Sequence, residues 1–271
     1  SSYRLFARGL NSVIKKKYIS DMVQLGMHSF FFMPLTHEEG HRSILTVNQI
    51  GSISQPFFNK QGAAYVNGVT DRSLKDLRDN DLPDYIRLHT GGLESDYMLT
   101  RRVETIGSFD LDDFNHYKWE YWSRKAVIVQ YLVLGLFEFE AGIKEESNEL
   151  ERDIVGLDTY GAVRHLFRPS MEFYRYTLYT DLTAAEKDFV KRMGYRSLLN
   201  LLNPMMLGEI GYHLNGKVTV NAGLGYMLSP FGDFIDENIW LKTGGLNLLF
   251  TLRQFQNKGN WFQGIGISVI D

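Results

Sequence analysis

From Leu10 to about Leu45 the apolar residues Val13, Tyr18, Ile19, Met22, Val23, Leu25 and Met27 recur at steps of three and four, the period of a helix face. Pro34 interrupts this run. A proline is tolerated in the first turn of a helix, where its missing N–H has no partner to lose, so a fresh helix carrying His37 to Leu45 is expected there. Between Ser52 and Gly68 two short β-like runs flank Asn59-Lys60-Gln61-Gly62, which predicts a hairpin. A polar stretch over Asp71–Asp84 leads to a helix entered at Gly91-Gly92, with Leu93, Tyr97, Leu99 and Val103 on its buried side. Asp110–Gly142 reads as a long helix rich in aromatics, among them Trp119, Tyr121 and Trp122, with an apolar second half suited to a core. The acidic run Lys144–Asp153 opens a further helical region, which Arg168-Pro169 closes. Thr183-Ala-Ala-Glu186 spells a capping box, in which hydroxyl and carboxylate satisfy each other's backbone amides, and starts a helix reaching about Leu202.

After Pro204 the period changes to two. Val218, Val220, Ala222, Leu224 and Tyr226 alternate with small or polar residues, and Asn215-Gly216 ahead of them is a two-residue hairpin signal. Leu246, Leu248, Phe250 and Leu252 repeat the alternation, as do Ile265, Ile267 and Val269. The expected fold class is therefore α+β: a mainly helical part over residues 1–205 and a C-terminal antiparallel sheet of about four strands over 206–271. These strands are about ten residues long, glycine-rich, apolar on one face, and carry Tyr226, Trp240 and Trp261 near their ends. In this they resemble strands of bacterial outer-membrane barrels, which implies membrane association through the sheet; a soluble meander packed on the helices gives the same alternation. Four strands cannot close a barrel, so a membrane sheet would need a membrane-protein partner.

Composition narrows the classes. The chain of 271 residues is 44% hydrophobic and 14% aromatic, ample for a buried core. Its 29 Lys+Arg against 32 Asp+Glu give no basic field for phosphate backbones, so no nucleic-acid partner is expected, and Lys15-Lys16-Lys17 reads as a solvated helix face. With no cysteine, any metal must be held by His, Asp or Glu. The longest apolar stretches, Met27–Leu35 and Ala126–Phe137, fall short of the roughly 20 residues that span a bilayer, so no ordinary transmembrane helix is expected. The Ser-Ser start suits a processed or trimmed chain.

The chemistry concentrates in His37-Glu38-Glu39-Gly40-His41. Residues four apart on a helix share a face, so the two imidazoles can address one ion, while Glu38, one position on, can reach a water on that ion without being a ligand. The pentapeptide resembles the HExxH signature of zincin metallopeptidases. That resemblance implies Zn2+ as cofactor, His37 and His41 as ligands, Glu38 as general base, and a protein or peptide as substrate. Ile44 and Val47 occupy the places where metzincins carry Gly and His, which excludes that subclass. Gluzincins take a Glu from a later helix, and two residues compete for that role. Glu94, with Asp96 nearby as a partner from behind, is preferred; Glu149, with Asp153 four residues on, and His89 are the alternatives. Asn200 to Glu209 shares an Asn, a Leu and a Pro with the site-2 protease pattern, but lacks its Asp-Gly. Asp153, Asp158 and His165 read first as helix surface and a core histidine, and otherwise as a polar cluster near the metal. His28, His116 and His213 have no partners visible in the sequence.

The resulting expectation is a zinc-dependent, gluzincin-like metallopeptidase core at or near a bacterial envelope membrane, in the periplasm or outer membrane. The competing expectation is a non-catalytic subunit of an outer-membrane assembly whose sheet packs on a partner.

Overall fold

In the computed structural model, which describes residues 2–55, 64–140, 142 and 145–270, a first helix α1 (Ser2–Val13) precedes one uninterrupted helical rod. The rod comprises α2 (Lys17–Met27), a π-helical turn over His28–Phe32, and α3 (Met33–Val47). Pro34 lies in the first turn of α3, as expected, but it does not start a fresh helix. The π turn, in which the Met33 amide bonds back to the His28 carbonyl, absorbs the donor that proline lacks. The apolar stripe read along α2 faces outward: Met22 is 72% exposed, while Ser20, Gln24 and His28 are buried.

Strands β1 (Ile53–Gln55) and β2 (Tyr65–Asn67) pair antiparallel, with Ile53 opposite Asn67. The expected turn of that hairpin, Asn59 to Gly62, lies outside the described residues. The polar stretch that follows forms helix α4 (Asp71–Asn80), its first turn capped by Thr70, whose Oγ1 accepts from the Ser73 amide. Helix α5 (Leu82–Ser108) starts well before Gly91-Gly92, at the cap Asp81 with Pro83 in its first turn. The glycine pair is therefore internal, and it serves packing rather than entry. A Cβ on Gly40 would strike the Gly91 carbonyl, so the missing side chains let α3 and α5 cross at backbone contact.

The aromatic segment is broken into a 3-10 turn (Phe114–His116), helix α6 (Lys118–Val133) and a second 3-10 turn (Leu134–Phe137), shorter than its sequence suggests. Glu138 at φ +52 ends it. Among the described residues of the acidic region, only a 3-10 turn (Glu149–Glu151) and helix α7 (Asp158–Phe167) are helical; the residues between these two are irregular. Helix α8 (Ala184–Ser197) begins at the expected capping box, with the Thr183 amide donating to Glu186 Oε2 at 2.7 Å, and a 3-10 turn carries it to Leu201.

The C-terminal sheet has five strands in sequential antiparallel order: β3 (Tyr212–Asn215), β4 (Val218–Ser229), β5 (Gly232–Thr243), β6 (Leu246–Asn257) and β7 (Asn260–Val269). Gly244-Gly245 and Lys258-Gly259 both sit at positive φ, the type I′ requirement of two-residue hairpin turns. The sheet and the helices share a core in which Leu93, Tyr97, Ile128, Val163 and Phe189 meet Tyr226, Met227 and Phe234. The sheet face toward α5 is polar. Tyr97 Oη donates to Asp236 at 2.6 Å, Arg101 binds Asn238 and Thr251, Arg253 binds Asp236 through two nitrogens, and the Trp240 indole donates to Thr105. No helix among the described residues is long and apolar enough to cross a membrane.

Candidate metal centre

Three helices converge on one buried point. His37 and His41, one turn apart on α3, are both nearly inaccessible, and they turn their Nε2 atoms toward Oδ2 of Asp158, the first residue of α7, at 3.3 and 3.5 Å. The third helix, α5, makes room for the rings by carrying Gly92 beneath them: a Cβ there would fall on both Nε2 atoms.

Each imidazole is held from behind. His37 Nδ1 donates to Asp96 Oδ2 at 2.8 Å and His41 Nδ1 donates to the Leu88 carbonyl at 2.7 Å, the assignment that leaves both Nε2 lone pairs facing Asp158. Asp96 is itself fixed by the buried Arg124, whose other nitrogen donates to Thr36 Oγ1 at 2.9 Å. Asp158 Oδ2 is buried and has no hydrogen-bond partner among the described residues. Two imidazole nitrogens and one carboxylate oxygen, all within 4.8 Å of one another, form a donor set that can hold a metal ion. Three protein ligands leave a coordination position for water or substrate.

Electrostatics tie the group together. Burial opposes charge on His37, but Asp158 and Asp96 outweigh it and hold its pKa well above the ordinary histidine value. At His41 burial is likewise outweighed, chiefly by Asp158, and the pKa is raised. Burial would raise Asp158, yet His41 and His37 drive it well below the usual carboxylate range. Glu38 is nine-tenths buried beside them; desolvation lifts its pKa, Asp158 and Asp96 add to the rise, and the two histidines oppose it. Asp153 is pushed up to about 7 by burial and by Glu38. Tyr131 of α6 lies 5.5 Å from the His37 ring, centroid to centroid, and burial beside these carboxylates keeps its phenol protonated.

The structure thus brings His37, Glu38 and His41 together, but the carboxylate that joins them is Asp158, in place of the expected Glu94. Glu94 accepts from Arg87 at 3.1 Å and from Thr90 at 2.9 Å, away from the triad. Helical period explains the difference. Gly92 and Asp96, four apart on α5, both face the histidines, whereas Glu94 is two positions from either and points roughly to the opposite side. Glu149 accepts the Asp71 amide and is not in the triad either. His89 is buried against His165 and Tyr85, with ring centroids 5.5 and 5.1 Å away. Asp96, expected behind Glu94, stands behind His37 instead. Sequence reasoning passed over Arg124 and Tyr131 and under-weighted Asp158, because no local pattern says which residues of α6 and α7 will face α3.

Removing the support behind one ligand has a definite cost. Asp96→Asn is expected to weaken metal binding 10–100-fold, read by competition with a chromogenic chelator, because the imidazole loses its carboxylate orienter. Unchanged affinity in a folded Asp96→Asn protein would show that the Asp96 bond does not orient His37 for a metal. Compared with protein-family models, curated proteins and solved structures, the chain matches none of them.

Proposed function

We propose that the protein is a zinc-dependent peptidase in which His37, His41 and Asp158 hold the cation and Glu38 is the general base. The observation that carries this reading is the placement of a buried glutamate directly beside a two-histidine, one-aspartate donor set. A divalent cation bound there would polarise both a water molecule and the carbonyl of a peptide bond. Glu38 takes the proton from the attacking water; desolvation makes its carboxylate more basic than an exposed one and so a better acceptor near neutral pH. It then returns the proton to the departing amine. The protonated Tyr131 phenol supplies a donor beside the same point.

The test uses the purified full chain, loaded with zinc, against unfolded casein and a fluorogenic peptide library. Cleavage should disappear with 1,10-phenanthroline and return with added zinc. Absence of cleavage by protein shown to carry one equivalent of zinc would overturn the peptidase reading.

Protons compete with the cation for the same nitrogens. Because the metal-free pKa values of His37 and His41 are raised, apparent metal affinity should climb with pH through and beyond the ordinary histidine range, about tenfold per unit for each proton displaced. The sign for stability follows. The raised histidine pKa values stabilise the metal-free fold fully below the unfolded value of about 6.5, and that stabilisation is lost as pH rises through the folded values. Thermal melts of metal-free protein should therefore fall relative to zinc-loaded protein as pH increases above neutrality; parallel curves would contradict the coupling.

A further inference from the structure

We propose that the outer face of α2 binds the surface of an anionic lipid bilayer. The helix is inverted with respect to one that meets water. Its inward face is the polar row Ser20, Gln24 and His28, which meets other polar groups: Gln24 Nε2 donates to Asn11 at 2.9 Å, Tyr3 Oη donates to Gln24 Oε1, and Ser123 shares a hydrogen bond with His28 Nδ1 at 2.6 Å, while His28 Nε2 has no hydrogen-bond partner among the described residues. Its outward face is Tyr18, Met22 and Leu25, flanked by Val23 and Met27, all exposed. A helix against water buries its apolar stripe, whereas one against lipid turns it outward and pairs its polar groups inside.

A second element shows the same inversion independently. The sheet directs Asp236, Asn238, Arg253 and Thr251 toward α5, and on its other face β7 presents Ile265, Ile267 and Val269 to the exterior, Ile265 at 82% exposure. Strand β7 contains no charged residue.

Charge selects the occupant of the α2 face. Lys15, Lys16 and Lys17 stand exposed at its N-terminal end; Lys17 is engaged by Asp21 and Asn115, and Lys15 donates to the Ser12 carbonyl. Exposed lysines at the end of an outward apolar face match phosphate headgroups over acyl chains. No described helix is long and apolar enough to cross a bilayer, and α3, which continues the rod, buries His37, His41, Ile44 and Leu45 inside the fold, so α2 lies in the interface.

The test is flotation of the full chain with vesicles of phosphatidylcholine alone and of phosphatidylcholine with phosphatidylglycerol. The chain should float with the anionic vesicles. Tyr18→Glu/Met22→Glu should cut the bound fraction at least about tenfold, and Lys15→Glu/Lys16→Glu should lower affinity for anionic vesicles roughly tenfold to thirtyfold, which removes the preference over neutral ones. Val47→Glu, at an equally exposed apolar position at the end of α3, should float as wild type; circular dichroism and metal content check each fold. The proposal is overturned if wild type floats with neither vesicle, or if Tyr18→Glu/Met22→Glu floats undiminished. It is also overturned if that face instead mediates dimers in lipid-free buffer that the double variant abolishes. None of these readouts depends on peptidase activity.

Discussion

Asp158→Ala should leave a folded protein that no longer retains metal through gel filtration, whereas Glu94→Gln should retain one equivalent. Asp158 is the oxygen donor, among the described residues, toward which both imidazoles converge, and outer partners of a metal ligand alone are worth 10–100-fold in affinity, so loss of a ligand itself should exceed about a hundredfold. Removing it also removes the negative charge that keeps His37 and His41 easy to protonate, so protons should compete less at both nitrogens. The remaining two-histidine site therefore fails from lack of a donor rather than from proton competition. Glu94 is about half a helix turn from the face that matters and is held by Arg87 and Thr90, so its neutral variant tests only a local ion pair. Retention of metal by Asp158→Ala together with loss in Glu94→Gln would reverse the assignment. Metal content by mass spectrometry distinguishes the outcomes.

Two of the three members of the candidate site were legible because their relation is local: His37 and His41 are four residues apart, and the period of the helix alone puts them on one face. The third was not, because Asp158 reaches them through the mutual packing of α3, α5 and α7, which rests on contacts such as Gly40 against Gly91 and Gly92 beneath the imidazoles. Gly91-Gly92 was read as punctuation, the commoner local meaning of two glycines, when its role is close helix packing. Element type followed the same division. The capping box at Thr183 and the alternation from Val218 onward are local and reappear as α8 and the meander, with one strand more than expected. The α2 stripe was legible as a stripe, but periodicity says only that one face is apolar; the polar row Ser20, Gln24 and His28 shows which way it points.

Two adjacent acids give the sharpest test of mechanism. Glu38→Gln should bind metal as wild type does and lose about 10²–10⁴-fold in kcat, the range that a positioned general base supplies, while Glu39→Gln should keep both. The residues differ only in surroundings. Glu38 is buried beside Asp158 and Asp96 and its pKa is raised, first by desolvation. Glu39 faces outward, is bonded by Arg42 at 2.8 Å, and has its pKa lowered by that bond. An amide in place of Glu38 preserves size and hydrogen-bonding capacity but cannot take a proton, so a selective loss of kcat isolates proton transfer from packing. Wild-type turnover in Glu38→Gln with full metal content would remove Glu38 from the mechanism, and equal losses in the Glu38 and Glu39 variants would point to a disturbed helix instead of a lost base.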